Sequence, residues 1–392
     1  MNMIKSIKVM LVPNNKQETK LFQYANTARF AYNWAISREI ENHKQGNKFL
    51  SDMDLRKEFT KLKKTEEYQW LNQVSNNVTK QAIKDACDSY KRFFKGHSKY
   101  PKFKSKKRSR PSFYQDTAKI RFTDTHVKVE GFSSSKKQNK QKLNWIRLAE
   151  KGRIPTDCKY INPRITYDGI NWWISVGIED NAVIDQCTNE GIGIDLGIKD
   201  LAICSNEQTY KNINKASRVK KLEKKRRRLQ RQISRKYIMN KEGSSYKKTS
   251  NIIKSEKKLL KLNHKLTNIR KSYQLEVIND IIDRKPMFIT IEDLNISGMM
   301  KNKHLSKAIQ QQSLYEFIRI LSYKCQWNGI ELRQVDRYYP SSKLCHECGN
   351  VKYDLKLSDR IYICEECGNI INRDFQASLN LRDATEYKIV SL

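Results

Sequence analysis

The sequence predicts a multidomain α+β protein: an N-terminal β-barrel with a helical domain inserted into it, then an α/β domain carrying a basic helical hairpin and a cysteine-knuckle module. Three observations predict it. Strand-like segments at residues 4–12 and 120–178 bracket a stretch of helical periodicity. Two apolar strands, each ending in a carboxylate, frame a long basic helical segment. Two Cys-x-x-Cys pairs stand near the C-terminus. At 392 residues the chain is long enough for two or three domains.

The elements follow in order. Residues 4–12 read as a strand, stopped by Pro13. Asn15 followed by Glu18 fits a helix N-cap with its reciprocal acid, and a helix runs on through Leu21, Tyr24, Ala28, Ala31, Trp34 and Ala35. A second helix covers about 75–95. Residues 13–96 are thus a helical domain, and residues 1–12 with 97–182 a β-barrel around it. Within the barrel, Ile120–Phe122, Val127–Val129 and Trp145–Leu148 are strands. Arg164–Tyr167 and Trp172–Ile178 form a hairpin over an Asp168-Gly169 turn. Residues 133–142 are expected to be a surface loop.

The α/β domain spans 190–392. Gly191–Ile198 is a buried strand, with Leu201–Cys204 its antiparallel partner. Met287–Glu292 is another strand; a helix fits 306–327, and Glu331–Val335 is a further strand. Between them, over 211–275, Val219, Leu222, Leu229 and Ile233, then Leu259, Leu262, Leu266 and Ile269, mark two antiparallel helices with narrow apolar seams. Gly243-Ser244-Ser245 breaks them.

Charge is concentrated. There are 77 Lys and Arg against 42 Asp and Glu, a net charge of +35. Residues 211–271 contribute +20 and residues 91–110 contribute +10, so the rest of the chain is nearly neutral. Three acids (Glu223, Glu242, Glu256) cannot pair the 23 cations of the longer segment. A polyanionic partner is the expectation. Candidate phosphate contacts are Lys102, Lys104, Lys106, Lys107 and Arg108 in the first segment, interleaved with aromatics that can stack on bases. In the second they are Lys224, Lys225, Arg226, Arg227, Arg228 and Arg231. No apolar run is long enough to span a membrane, and the N-terminus lacks the apolar core of a signal peptide, so a cytoplasmic protein is expected.

Two constellations carry chemistry. Cys345-His346-Glu347-Cys348-Gly349 and Cys364-Glu365-Glu366-Cys367-Gly368 have zinc-ribbon spacing, predicted over 341–370. Four thiolates close a tetrahedral shell, so a zinc ion there is structural; a rubredoxin-like iron or disulfides are the alternatives. His346 points outward in this reading. The second constellation is Asp195, Glu292 and Asp374. The first two end apolar strands, and Asp374 opens a helix. Together such acids suit hard divalent cations such as Mg²⁺, and a pair of those supports attack of water on a phosphodiester. Each acid alone also reads as a cap or an ion-pair partner.

At these residues the sequence resembles the TnpB (OrfB) family of insertion-sequence nucleases, akin to the compact type V CRISPR effectors. Gly193-Ile194-Asp195-Leu196-Gly197-Ile198, Ile291-Glu292-Asp293-Leu294 and Asn372-Arg373-Asp374 look like the three RuvC motifs, with the cysteine pairs between the second and third. Ala28-Arg29 with Tyr32-Asn33, and Tyr100-Pro101-Lys102-Phe103-Lys104, are weaker likenesses. Two positions depart from the pattern: Asn372, where the family opens with Asp, and Gln376, where it has Asn. The resemblance implies a wedge-like barrel, a helical recognition domain and an RNase H-like (RuvC) nuclease domain. It implies an RNA-guided endonuclease cutting double-stranded DNA beside a short flanking motif, with two catalytic Mg²⁺ on Asp195, Glu292 and Asp374. Its partners are a guide RNA and target DNA, with no membrane and no small-molecule substrate. Asn76, Asn77 and Lys80 lie where the family places part of the flanking-motif contact. A nuclease-inactive RNA-guided repressor, a guide-independent transposase accessory protein and a CRISPR-borne effector are the rival readings.

Overall fold

The computed structural model describes residues 2–132, 143–181, 187–356 and 359–390. The predicted loop at 133–142 lies outside the described residues. The chain divides into two compact units, Met1–Asn181 and Ala182–Leu392.

The first unit is built on one long strand. β1 (Asn2–Val12) pairs antiparallel with β7 (Trp172–Asn181) from Asn2↔Asn181 to Leu11↔Trp172. With β2 (Ser112–Tyr114), β3 (Arg121–Phe122), β4 (His126–Lys128), β5 (Trp145–Leu148) and β6 (Tyr160–Tyr167) they form an antiparallel sheet in the order β2-β6-β7-β1-β5-β4-β3. The expected barrel is therefore an open seven-stranded sheet, with β2 and β3 unpaired to each other among the described residues. The reason is length: β3 pairs only at Arg121↔Lys128 and Phe122↔Val127, too short a ladder to reach a second neighbour. The Asp168-Gly169 turn joins β6 to β7 as predicted, with Gly169 at φ 99°.

Helices α1 (Asn15–Lys44), α2 (Asp52–Leu62) and α3 (Asn76–Phe94) follow β1. The cap of α1 sits one residue earlier than the sequence suggests. Asn14 accepts from the Gln17 backbone N–H at 2.9 Å, and the Gln17 side chain accepts from the Asn14 N–H at 3.0 Å. Gln17 takes the part expected of Glu18 because its amide also donates inward, to Leu143 O and Trp145 O. The helices and the sheet share one core: Leu21, Tyr24, Ile83 and Tyr90 belong to the same buried cluster as Phe113, Ile146 and Trp172.

The segment after α3 is clasped to α1. Asn33 Nδ2 donates to Lys104 O, and the Lys104 N–H donates to Asn33 Oδ1, both at 2.8 Å. The Lys104 ammonium lies 3.6 Å from the Tyr32 ring centroid. Nearby, Arg164 grips Asp85 through two hydrogen bonds of 2.7 and 2.8 Å. The two weaker sequence likenesses, Tyr32-Asn33 and the segment ending at Lys104, are thus the two halves of one interaction.

The second unit contains β8 (Gly191–Leu196), β9 (Asp200–Cys204), β10 (Thr209–Lys211), β13 (Phe288–Glu292), β14 (Glu331–Val335) and β15 (Lys388–Ile389). They form a six-stranded sheet in the order β10-β9-β8-β13-β14-β15. β8, β9 and β10 are antiparallel neighbours, whereas β8, β13 and β14 run parallel. The basic hairpin consists of α4 (Ser217–Met239) and α5 (Ser250–Ile282), joined by the short ladder of β11 (Lys241–Glu242) and β12 (Ser245–Tyr246). Val219, Ile233, Leu262 and Leu266 of the predicted seam are buried. Glu223 is buried with them, bonded to Arg270 at 2.7 Å and to Arg226 at 2.8 Å.

The single helix expected over 306–327 is two, α6 (Ser306–Gln312) and α7 (Leu314–Asn328). Ser313 between them is left-handed, with φ 54°. The Gln274 amide draws the Gln312 carbonyl out of the helical ladder at 2.7 Å and also donates to Ser313 O at 3.2 Å, which still accepts from the Phe317 N–H.

Asn33→Ala removes both bonds of the clasp and leaves partly buried backbone groups unmet. It should lower stability by about 1–3 kcal/mol, and hydrogen exchange should show earliest protection loss around Lys104.

Candidate functional site

Three carboxylates approach one another at one end of the six-stranded sheet, where the charges of Glu292 and Asp374 act on Asp195. Ile194 and Ile291 are paired across parallel β8 and β13, so Asp195 and Glu292, one residue further on, end neighbouring strands. Strands so paired lie about 4.8 Å apart. Asp374 comes from the first turn of α8 (Arg373–Arg382), which packs across these strands. The packing is close because residue 193 is glycine: a Cβ there would stand 2.0 Å from Ser378 O and 2.4 Å from Arg382 N.

All three acids are half-buried. Burial first, then the negative charges of Glu292 and Asp374, push the Asp195 carboxyl well above the usual carboxylate range. Burial also raises Glu292, against the pull of its hydrogen bond from Ser341. The opposing cations are Arg373 and Arg360. Arg360 approaches Asp374 at 3.4 Å, and Arg373 is buried and tied to Lys356 O at 2.9 Å and Ser342 Oγ at 3.2 Å. Half-buried oxygen donors that repel one another fit a hard divalent cation, which would relieve the repulsion.

The cysteines form a second centre. The Sγ atoms of Cys345, Cys348, Cys364 and Cys367 all lie within 4.8 Å of one another, and among the described residues no other group of three or more His, Cys, Asp and Glu side chains, the three acids included, is drawn together in this way. Cys345 and Cys367 are 3.6 Å apart, Cys348 and Cys364 3.5 Å. A tetrahedral zinc with bonds of about 2.3 Å requires sulfur separations of about 3.8 Å, so the cluster fits that ion. These separations are far beyond a disulfide bond of about 2.05 Å. His346 turns outward, to Asp383 at 3.5 Å.

Sequence reasoning missed how the two centres are joined. Leu344 O, the carbonyl just before Cys345, accepts from Gln376 Nε2 at 2.8 Å and Asn380 Nδ2 at 2.7 Å, one turn apart on α8. Asn380 Nδ2 also donates to Ser341 O at 2.7 Å, and Ser341 Oγ bonds Glu292. The departures from the family pattern have structural parts here. Asn372 caps α8, accepting from the Asp374 and Phe375 N–H groups at 3.0 and 3.1 Å, as Asp would. Gln376 reaches Leu344 O.

The basic candidates fall into two groups. Lys224, Lys225, Arg227, Arg228 and Arg231 are exposed on α4, whereas Arg226 is half-buried against Glu223. Lys225, Arg228 and Arg231 line a groove with Lys258, Lys261 and Lys265 of α5. In the first unit, Lys102, Lys106, Lys107 and Arg108 are exposed, but Lys104 is turned inward, and burial lowers its pKa. Asn76 accepts from Lys63 at 2.7 Å, Asn77 donates to Glu130 at 3.4 Å, and Lys80 is exposed beside Lys63.

Three family profiles match. That of the IS605 OrfB proteins, described as a probable transposase, matches residues 179–303. Its companion, a helix-turn-helix domain, matches 1–48, and the Cas12f1-like TNB domain matches 315–381. A Streptomyces pristinaespiralis relative, described as a candidate RNA-guided DNA endonuclease, is 28% identical over 96% of this chain and 88% of its own. These matches make the chain similar to the TnpB (OrfB) proteins over nearly its whole length. A second relative, the Escherichia coli K12 protein InsQ, with the same description, is 27% identical over 97% of this chain and 92% of its own. Among solved structures, Cas12f1 in its complex with guide RNA and target DNA shares the fold, with a TM-score of 0.60 at 13% identity over 99% of this chain and 100% of that one.

The raised Asp195 carboxyl gives a stability signature. Below pH 4 the group is protonated folded or unfolded and costs nothing; stability is lost as pH rises from there through the elevated folded value. In magnesium-free buffer, Asp195→Asn should therefore raise the Tm at pH 8, with the gain shrinking toward pH 5. An equal gain at both pH values would contradict the assignment.

Proposed function

We propose that the chain is an RNA-guided, metal-dependent DNA endonuclease encoded by an insertion sequence, cutting double-stranded DNA next to a short flanking motif. The observation that carries this reading is the approach of Asp195, Glu292 and Asp374 at the ends of adjacent strands, near enough that the charges of Glu292 and Asp374 raise the Asp195 carboxyl. The strand order, three antiparallel strands followed by two parallel ones, supports an RNase H-like, RuvC-type nuclease domain over 190–392. The descriptions of the relatives support RNA guidance. In this reading residues 13–96 recognise the flanking motif together with the sheet of residues 1–12 and 97–182, and the basic hairpin holds nucleic-acid backbone. Base pairing reads the sequence, so the protein's own part is chiefly phosphate contact. The setting is the cytoplasm of a bacterium, at its nucleoid.

Asp195 and Asp374 would hold two Mg²⁺ ions, with Glu292 completing one shell. Such a pair would supply an activated water for in-line attack on phosphorus and stabilisation of the leaving 3′ oxygen. The chain's own residues set this up. Ser341 fixes the orientation of Glu292, Asn372 fixes the helix start that presents Asp374, and Arg360 and Arg373 temper the repulsion among the acids. The four cysteines would hold a structural zinc that takes no part in bond breaking.

Asp195→Ala should reduce cleavage of guide-matched DNA by at least about a thousandfold while leaving guide-dependent binding intact. Undiminished metal-dependent cutting by this variant would sink the mechanism. Cys364→Ala should lower zinc from one per chain to none by elemental analysis and destabilise the ribbon, since zinc binding there is folding energy.

A further inference from the structure

The basic hairpin ends in a feature that phosphate contact does not use. At its turn Ile238, Met239, Tyr246 and Ile253 expose 68%, 81%, 55% and 50% of their surface. Scattered single apolar residues on a surface are ordinary, but a group at one protruding tip marks an interaction site. Helix α4 alone carries this tip about 35 Å along its axis, at 1.5 Å per residue.

The tip is built rather than loose. Lys241↔Tyr246 and Glu242↔Ser245 close its ladder, and Gly243 makes the turn at φ 58°. The Lys247 N–H donates to Asn240 O at 2.9 Å, and Asn240 Nδ2 donates to Lys236 O at 2.7 Å. Tyr237 anchors the base: its hydroxyl donates to Glu256 Oε1 at 2.6 Å, and its ring meets Tyr246 edge-on, with centroids 6.1 Å apart. Tyr246 is held in place yet more than half exposed.

Its surroundings decide what it fits. From Arg235 to Lys254 there are six cations and one acid, Glu242. Glu242 already pairs with Lys247, and Lys248 pairs with Glu256. Among the described residues Arg235, Lys241 and Lys254 have no acidic partner. The tip also continues the groove lined by Lys225, Arg228, Arg231, Lys258, Lys261 and Lys265. A strand whose phosphates follow that groove arrives at the tip with a base to place, and aromatic and apolar side chains among cations are what an unpaired base stacks on.

We propose that the hairpin tip is a stacking site for an unpaired nucleobase on a strand whose phosphates lie along the hairpin. Tyr246 supplies the ring, with Met239 and Ile238 beside it. The proposal rests on the nucleic-acid reading above and adds a base contact that neither the acids nor the zinc ribbon provides.

The test uses the full-length protein and single-stranded RNA and DNA oligonucleotides carrying 2-aminopurine. The expected result is that the wild type quenches the probe, and that Tyr246→Ala weakens binding by about 5- to 150-fold, the range for one base–aromatic stack. The quench should disappear in that variant, and Tyr246→Phe should retain it. The salt dependence of binding should be unchanged in Tyr246→Ala, because no phosphate contact is lost, whereas Arg227→Ala with Arg228→Ala should flatten it. Met239→Gln, which leaves the Tyr237–Tyr246 contact alone, should weaken the quench in a protein of unaltered Tm. Loss on either the RNA or the DNA strand supports the site. Unchanged affinity and quench in Tyr246→Ala, with the arginine effect intact, overturns the tip assignment alone. Absence of salt-dependent binding in the wild type overturns the nucleic-acid reading itself. Loss confined to binding of anionic phospholipid vesicles overturns the proposal in favour of a membrane contact.

Discussion

The second unit depends on one close approach: the backbone of α8 lying directly on β8 at Gly193. No side chain fits between them, since even a methyl group would meet Ser378 O at 2.0 Å. That contact fixes the height of the helix over the sheet, and so brings Asp374 to the strand end where Asp195 and Glu292 already stand. From the other side of the same helix, Gln376 and Asn380 hold the carbonyl that leads into the first cysteine knuckle. One helix thus carries an acid at its start, the sheet along one side and the cysteine module along another.

Electrostatics divides the molecule accordingly. The cations are placed where they are solvated and mutually repelling, on the outer faces of the hairpin and on the segment after α3. The acids are placed where desolvation and each other's charge make ionisation costly. Neither arrangement is at rest by itself. A polyanion relieves the first and a small multivalent cation the second, so the same substrate complex settles both.

Much of this was legible in the sequence because it is local. Strand ends with carboxylates, the Asp168-Gly169 turn, the helical seams and the paired cysteines are patterns over a few residues, and each was found close to its predicted place. What was not legible depends on partners far along the chain. The cap of α1 fell on Asn14 rather than Asn15 because Gln17 is recruited by carbonyls beyond position 140. The break at Ser313 is imposed by Gln274. Lys104 reads as a solvent cation until Asn33 is seen to turn its backbone inward. Ser341, 49 residues from Glu292, has no sequence signal that would link the two. The barrel was inferred from strand spacing, which cannot tell whether the two outermost strands are long enough to meet.

The cysteine module is an excursion between β14 and α8 whose two ends are stapled together by Arg373 and Ser342. A loop closed at its neck can vary in length and content without redirecting the chain on either side. The staple sits outside the cysteine cluster, but the carbonyl held by Gln376 and Asn380 sits immediately next to it. A graft that exchanged this excursion between homologues would have to be cut after Leu344, not before it. Relatives are therefore expected to tolerate diversity inside the knuckles while keeping the short stretch from Ser341 to Leu344 as a fixed seat.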